Sequence, residues 1–598
     1  MSPGPDTLIL RALEHRNLPA LFAALPLLRD LDAELLSEIT REVDWFSVPG
    51  GMALFEAGQP VDGLYVVVNG ALEVYVRQPA GGARLAGRVS AGETVGEAEV
   101  LSGGNRSVTI VAARDTEVAR LAVSTFEKLV LRNPQTLRHI ANVVIKRLET
   151  LQHSSGETRA SPRTFAIVPC TADVDVPQFA VGLAACLRAQ GRTELVLSTQ
   201  DHEHTSHWFH RLERANDFVV YVTGSPETKW TRLCVRHADC VLLLARNGVP
   251  PRAWRTLEAN AEPPAVSQSA ELVLLTAPGA RPAPTTQNWL NLNHVRRHHH
   301  VRGAADLARL ARLLTGRALA VVLSGGGARG FAHIGVMRAL QAAKLPVDAI
   351  GATSIGAIVG AGWAAGWSHA EMIERMRRAF VQQNPLGDYT LPFVSLVAGR
   401  RVGRLLRGEF GEQCIEDLPL SYFCVSTNLS SGQVAVHRRG KLWLWLRASV
   451  AIPGVLPPVC TQKQIHVDGA TINNLPVDVM RESLDGIILA VDAGADRMFE
   501  ATVEMSEVPP AWRMLSWLGR QRPRLNILQI LLRAGMINSA TATIAHRQLA
   551  DLVLKPPLER IDLLDWKAFD RVVELGYRHA SESLEKHADE LRRRIALT

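Results

Sequence analysis

A serine among small residues, Ala352-Thr353-Ser354-Ile355-Gly356, follows a glycine-rich run, Ser324-Gly325-Gly326-Gly327-Ala328-Arg329-Gly330, and precedes Asp468-Gly469-Ala470. These residue types suit acyl transfer: a hydroxyl on a sharp strand-to-helix turn attacks a carbonyl, and backbone N–H groups of a glycine loop hold the oxyanion. The turn reads A-x-S-x-G, with Ala352 where the usual pattern has glycine. Asp468 can take the serine proton directly only if it sits within about 2.6 to 3.2 Å of it. An aspartate with an ordinary pKa of about 3.9 is a weak base toward a hydroxyl, so most of the help must come from oxyanion stabilisation in a water-poor site. His466 lies two residues from Asp468 on a strand, roughly 6 to 7 Å along the chain, and reads as structural.

The elements around these residues follow from their patterning. Ala318–Leu323 is an apolar strand running into the glycines, with a helix from about Phe331. Pro346–Ile350 suits a short buried strand, and Ile355–Ala361 a tightly packed helix whose N-terminus favours negative charge at Ser354. The uncharged run Ala349–Trp367 is interrupted by glycines and holds the serine, so it reads as a buried strand and helix and not as a membrane span. Gly325, Gly327 and Gly330 also satisfy the G-x-G-x-x-G of a dinucleotide turn, which wants an acidic residue about 20 positions on. Asp348 stands near that distance but precedes its strand core, which favours the hydrolase.

Taken in order, these motifs and the segment Asp468 to Pro476 resemble the patatin-like phospholipase domain. The resemblance implies a Ser-Asp dyad with no histidine: Ser354 as nucleophile and Asp468 as general base. The nucleophile motif would be Ala352, Thr353, Ile355 and Gly356, and the aspartate motif Gly469 and Ala470. It implies an oxyanion loop over Gly325, Gly326, Gly327, Ala328, Arg329 and Gly330, with the N–H groups of Gly326, Gly327 and Ala328 as donors. Arg447–Gly454 resembles the segment ahead of the family's aspartate, and Asn473, Asn474 and Pro476 fit the pattern after it.

Upstream, residues 18–151 read as short strands with Gly turns between flanking helices, a barrel-like unit. Gly92–Glu97 followed by Arg106-Ser107 resembles the phosphate cassette of cyclic-nucleotide-binding domains. The resemblance implies Glu97 for the ribose hydroxyl and Arg106 for the phosphate, with Gly96 and Ser107 beside them. Glu99 stands where that family has a small residue, so an effector-free scaffold, with Glu97 and Arg106 as a salt bridge, is the competing reading. Residues 160–295 alternate apolar strands with helices, as a parallel doubly wound sheet does, and lack a Walker lysine. The third domain is expected over 316–598. The fold class is thus multidomain α/β: a cyclic-nucleotide-type barrel, a degenerate α/β unit and a patatin-like domain.

This order resembles the neuropathy target esterase family, from about residue 20 to the tail at Tyr577. It implies a lysophospholipase or phospholipase acting on acyl esters, with a phospholipid or lysophospholipid substrate and cyclic AMP or cyclic GMP as the effector. An inactive, lipid-binding regulatory protein is the alternative function. A transcription factor would instead carry a helix-turn-helix after the barrel.

Composition agrees with such an assembly. The 598 residues are 47% hydrophobic and 21% charged, room for three to four ordinary domains. Seven dispersed cysteines indicate reduced thiols in a cytoplasm. No secretory signal is read at the N-terminus, and the net charge of +7 suits peripheral contact with an anionic membrane face. No cofactor, nucleic acid or metal is expected. His202, His204, His207 and His210 read as solvated loop histidines, and Arg296–His300 as a polar linker. Pro510–Leu518 with Arg520, Arg522 and Arg524 reads as an interfacial element or a core helix with a basic edge.

Overall fold

A computed structural model describes residues 33–77, 83–133, 162–197, 206–225, 228–253, 270–277, 283–293, 295–494 and 539–595. Pro510–Leu518 with its arginines, His202 and His204 lie outside the described residues. Two compact units are present, one formed mainly by residues 1–279 and 288–315, the other mainly by 316–598.

In the first unit, two four-stranded antiparallel sheets form the barrel. One orders Asp44–Val48, Thr116–Ala122, Gly63–Asn69 and Thr94–Val95; the other orders Ala53–Phe55, Thr109–Ala112, Ala71–Arg77 and Ala83–Ser90. Val48, Phe55, Val67, Leu72 and Ile110 close the space between them. Charged residues in Ala83–Ser90 and Thr116–Ala122 hide the period-two pattern of these two strands in the sequence.

A second sheet in this unit is entirely parallel, in the order Thr193–Val196, Phe218–Val222, Thr164–Pro169, Cys240–Arg246, Ala270–Leu275, Arg297–Val301. Helices cover both faces, so its central strands are apolar throughout, as the sequence indicates. The histidine run is not a linker: Arg297–Val301 is the last strand, and His299 Nε2 lies 2.7 Å from Glu271 Oε2 on the neighbouring one. Burial holds the His299 imidazole below its ordinary pKa, against the pull of Glu271. At the end of Thr164–Pro169, the helix Val176–Arg188 is capped by Asp175, whose carboxylate accepts the Gln178 N–H at 2.9 Å. An acidic cap of this kind opposes a phosphate there.

The second unit is built on an eight-stranded mixed sheet. Its order is Val459–Thr461, Gln464–Asp468, Ser421–Asn428, Ala349–Thr353, Ala318–Leu323, Gly486–Val491, Leu552–Leu554, with Gln433–His437 also paired to Ser421–Asn428. Ala318–Leu323 is parallel to both of its neighbours and buried along its whole length. The strand expected at Pro346–Ile350 instead runs Ala349–Thr353, because the buried Asp348 carboxylate accepts the Leu319 N–H at 3.0 Å and ends the loop before the ladder starts. Helix Ala332–Ala342 packs against the long helix Phe569–Ile595 so closely that a Cβ on Gly335 would meet the Val573 carbonyl oxygen at 2.0 Å. Among the described residues no helix is long and apolar enough to cross a membrane.

Candidate active site

Ser354 sits at the junction of strand Ala349–Thr353 and helix Ile355–Ala364, with φ 54° and ψ −127°. A positive φ is costly for a residue with a Cβ and marks a position held by its surroundings. Here the hold is explicit: Ser354 N–H donates to Ser449 Oγ at 2.9 Å, Ser449 Oγ donates to Val425 O at 2.8 Å, and Thr353 Oγ1 donates to Asn473 O at 3.0 Å. Helix Ile355–Ala364 can start so close to the sheet because Gly356 lies against the carbonyls of Leu323 and Ser324, where a Cβ would meet oxygen at 2.5 to 2.8 Å.

The Ser354 hydroxyl donates to Asp468 Oδ2 at 2.7 Å, while Asp468 Oδ1 accepts the Ala470 N–H at 2.9 Å. Asp468 ends the strand Gln464–Asp468, and its own N–H donates to Ala451 O at 2.9 Å. Its carboxyl is pushed up to about 7, because burial penalises the anion more than the Ala470 and Ser354 hydrogen bonds favour it. That value makes it a far better proton acceptor near neutrality than an exposed aspartate.

His466 turns away from the pair. Ser426 Oγ lies between His466 Nδ1 at 3.0 Å and His437 Nε2 at 2.7 Å, and the His437 ring stacks on Trp445. Burial lowers the pKa of both imidazoles, His437 to about 3.

The glycine loop follows strand Ala318–Leu323. Gly325 presses on the pair: a Cβ there would stand 3.1 Å from Ser354 Cβ and 2.6 Å from Asn474 Oδ1. The loop is propped from both sides. Gly325 N–H donates to Asn474 O at 3.2 Å, and Ala328 N–H, expected among the oxyanion donors, donates to Leu563 O at 2.8 Å. Arg329 Nε donates to Ile561 O at 2.7 Å, so its role is to fasten the loop. Among the described residues, the N–H groups of Gly326 and Gly327 have no acceptor, which leaves two adjacent donors for a developing oxyanion. Sequence reasoning missed Ser449 as a prop and the tail carbonyls of Ile561 and Leu563. Ser449 lies inside the Arg447–Gly454 segment, which was its one signal; the carbonyls carried none.

In the barrel the expected cassette residues come together differently from either reading. Arg106 is buried, with Nη2 donating to Asp62 Oδ1 at 2.6 Å and Gly63 O at 2.8 Å and its guanidinium 4.0 Å from the centre of the Phe55 ring. The salt bridge is therefore with Asp62 and not Glu97. Arg106 Nη1 lies against Gly96, where a Cβ would meet it at 2.4 Å, and neither Nη1 nor Nε has a partner. Ser107 is taken: its N–H donates to Glu99 Oε1 at 3.2 Å and its hydroxyl donates to the same oxygen. No cluster of metal-ligating side chains occurs among the described residues.

A parallel-centred sheet presenting a strained serine to an aspartate beside a glycine loop is the arrangement of a patatin-like domain, and the patatin-like phospholipase family model matches residues 321–481. The models for the neuropathy target esterase family P-loop like domain and the cyclic nucleotide-binding domain match residues 161–308 and 45–133. The chain is 31% identical to an uncharacterized NTE family protein of Mycobacterium tuberculosis, Rv2565, over 95% of this chain and 96% of that one. It belongs to the neuropathy target esterase family. It is also similar to patatin-like phospholipase domain-containing protein 6 of Pongo abelii, at 30% identity over 90% of this chain, and to protein 7 of Rattus norvegicus, at 31% over 92%. The chain spans 44% and 46% of those two relatives, less than half of their length. Among solved structures, the sensor domain of the transcriptional regulator DNR from Pseudomonas aeruginosa matches 22% of this chain and 87% of its own, at 20% identity and a TM-score of 0.20.

Proposed function

We propose that this chain is a serine hydrolase of acyl esters in phospholipids or lysophospholipids, with Ser354 as nucleophile and Asp468 as the only general base. The observation that carries this reading is the 2.7 Å bond from Ser354 Oγ to Asp468 Oδ2, made on a positive-φ turn beside the amides of Gly326 and Gly327, which have no acceptor among the described residues. The names of the relatives support the substrate class.

In the first half-reaction the Ser354 proton passes to Asp468 Oδ2 as Oγ bonds to the ester carbonyl carbon, and the carbonyl oxygen becomes an anion facing Gly326 and Gly327 N–H. Collapse breaks the bond to the alcohol oxygen, which leaves with the proton from Asp468. Water then attacks the acyl-serine and gives a proton to Asp468; as the C–Oγ bond breaks, that proton returns to Ser354 and the fatty acid departs. The Ser449 and Val425 bonds act by holding Ser354 in its strained conformation. In the barrel, Arg106 and Ser107 form an anion seat for a cyclic nucleotide, and the Glu99 carboxylate competes for its Ser107 side.

Release of fatty acid from lysophosphatidylcholine by the full chain tests the proposal. Wild type should turn over, and Ser354→Ala and Asp468→Asn should each fall by at least about a thousandfold. Full activity in Ser354→Ala would sink the assignment, as would an inactive wild type.

A further inference from the structure

In the catalytic unit the segment Asp388–Ala398 doubles back as a short hairpin. Tyr389 faces Val397 in an antiparallel bridge, Thr390 N–H donates to Leu396 O at 3.0 Å, and Ala398 N–H donates to Asp388 O at 2.8 Å. Its tip is bare: Phe393 is 89% exposed, Tyr389 81%, Leu391 73% and Val394 67%. Single apolar side chains on a surface need no explanation, but four large ones within six consecutive positions leave a patch that water solvates poorly.

The base of this hairpin is fixed. Leu396 and Val397 N–H donate to the carbonyls of Gly454 and Val455, each at 2.9 Å, and Ser395 Oγ donates to Val397 O at 2.8 Å. The helix that follows, Arg400–Phe410, exposes Arg400, Arg401, Arg404 and Arg407, which make no salt bridge among the described residues. The Arg407 guanidinium lies over the Trp443 ring at 3.9 Å, and Arg400, Arg401 and Arg404 keep their charge toward solvent. An apolar tip beside this cationic face matches the layers of a phospholipid surface: acyl chains accept the tip, and phosphates meet the guanidinium groups.

We propose that the Asp388–Ala398 hairpin and the adjoining arginine face dock the chain on an anionic phospholipid bilayer, with Leu391 and Phe393 entering the acyl region. This rests on the lipid-ester reading, because a hydrolase of lipid acyl esters meets its substrate in an aggregate. The arginines decide for lipid over a protein partner: a bare apolar tip alone would suit either, and the unpaired positive charge beside it selects an anionic sheet. The docking element also reaches the reaction site through backbone. Gly454 and Val455, which root the hairpin, follow Ala451, whose carbonyl accepts the Asp468 N–H at 2.9 Å.

Co-sedimentation of the full chain with phosphatidylcholine vesicles, with and without phosphatidylglycerol, tests this. Turnover of soluble 4-nitrophenyl butyrate serves as a separate readout of the catalytic unit. Wild type should bind, more tightly when phosphatidylglycerol is present. Leu391→Ser combined with Phe393→Ser should weaken the partition coefficient by about a hundredfold and leave soluble-ester turnover unchanged, since each side chain is worth roughly tenfold. Arg400→Gln combined with Arg404→Gln should remove the preference for phosphatidylglycerol. Equal vesicle binding by wild type and the Leu391/Phe393 variant overturns the proposal. So does a wild-type dimer that this variant dissociates without any vesicle binding, which would make the tip a protein contact. Vesicle binding with no turnover of 4-nitrophenyl butyrate or lysophosphatidylcholine would leave docking supported and remove the catalytic reading.

Discussion

Replacing Asp468 by asparagine should stop the reaction and strengthen the fold, by an amount that depends on pH in a predictable direction. A carboxyl held at about 7 in the fold, against 3.8 for the free group, costs about 4 kcal/mol more to ionise there than in the unfolded chain. Below 3.8 the acid is protonated in both states and no penalty exists. As pH rises the unfolded chain ionises first, stability is lost through the interval up to about 7, and the loss is then complete. Asparagine never ionises, keeps an oxygen for the Ala470 N–H and offers Ser354 an N–H. Asp468→Asn should therefore unfold with wild type near pH 4 and gain up to about 4 kcal/mol near pH 8, on the order of 10 °C in the midpoint of this unit. Thermal unfolding of both proteins across that range, with lysophosphatidylcholine hydrolysis alongside, makes the comparison. Wild-type kcat/KM should rise about tenfold per pH unit until it levels near 7. Midpoints that run parallel at every pH would show that Asp468 is not a buried, penalised acid, and the account of its basicity would fall with it.

Ser354→Gly should be more stable than Ser354→Ala by roughly 1 to 2 kcal/mol, because only glycine adopts φ 54° without strain; equal denaturation midpoints for these two inactive variants would contradict this. Ser449→Ala leaves the Ser354 N–H and the Val425 carbonyl unpaired in a buried place. A loss of about 1 to 3 kcal/mol is expected, with kcat falling more than KM rises, and unchanged kinetics would mean that Ser354 needs no prop. Glu99→Ala frees the N–H and hydroxyl of Ser107 beside the half-partnered Arg106. Titration calorimetry should show cyclic AMP or cyclic GMP binding at least about tenfold tighter than in wild type, whereas equal or weaker binding would make Glu99 a support and not a competitor.

Residues that the chemistry dictates were legible: a serine in A-x-S-x-G, a triple glycine and a later Asp-Gly fit acyl transfer better than a dinucleotide turn, and the structure brings all three together. The fold class was equally legible, because short, β-branched apolar runs such as Phe218–Val222 and Ala318–Leu323 suit strands buried on both faces. What stayed hidden depends on partners far away in the chain. Ser449 stands 95 positions from the amide it supports, and a carbonyl such as that of Leu563 carries no residue signature. His299 reads as linker polarity in the sequence because its partner, Glu271, lies 28 positions away on the adjacent strand. Glu99 stands out in the sequence as a charge where a small residue belongs, but its bond to Ser107 spans eight positions and leaves no pattern there. The Tyr389–Val394 stretch has no motif, since exposure and not composition sets it apart.

The bonds from Ala328 to Leu563 and from Arg329 to Ile561 make the oxyanion loop depend on a segment translated more than two hundred codons after it. A nascent chain that has left the ribosome only as far as residue 550 already holds Ser354 and Asp468, yet it lacks the two carbonyls that fasten the glycine loop. On the proposed reading, the oxyanion loop is therefore completed late in synthesis, and a product released before residue 561 would hold the serine and the aspartate without the clamp on that loop.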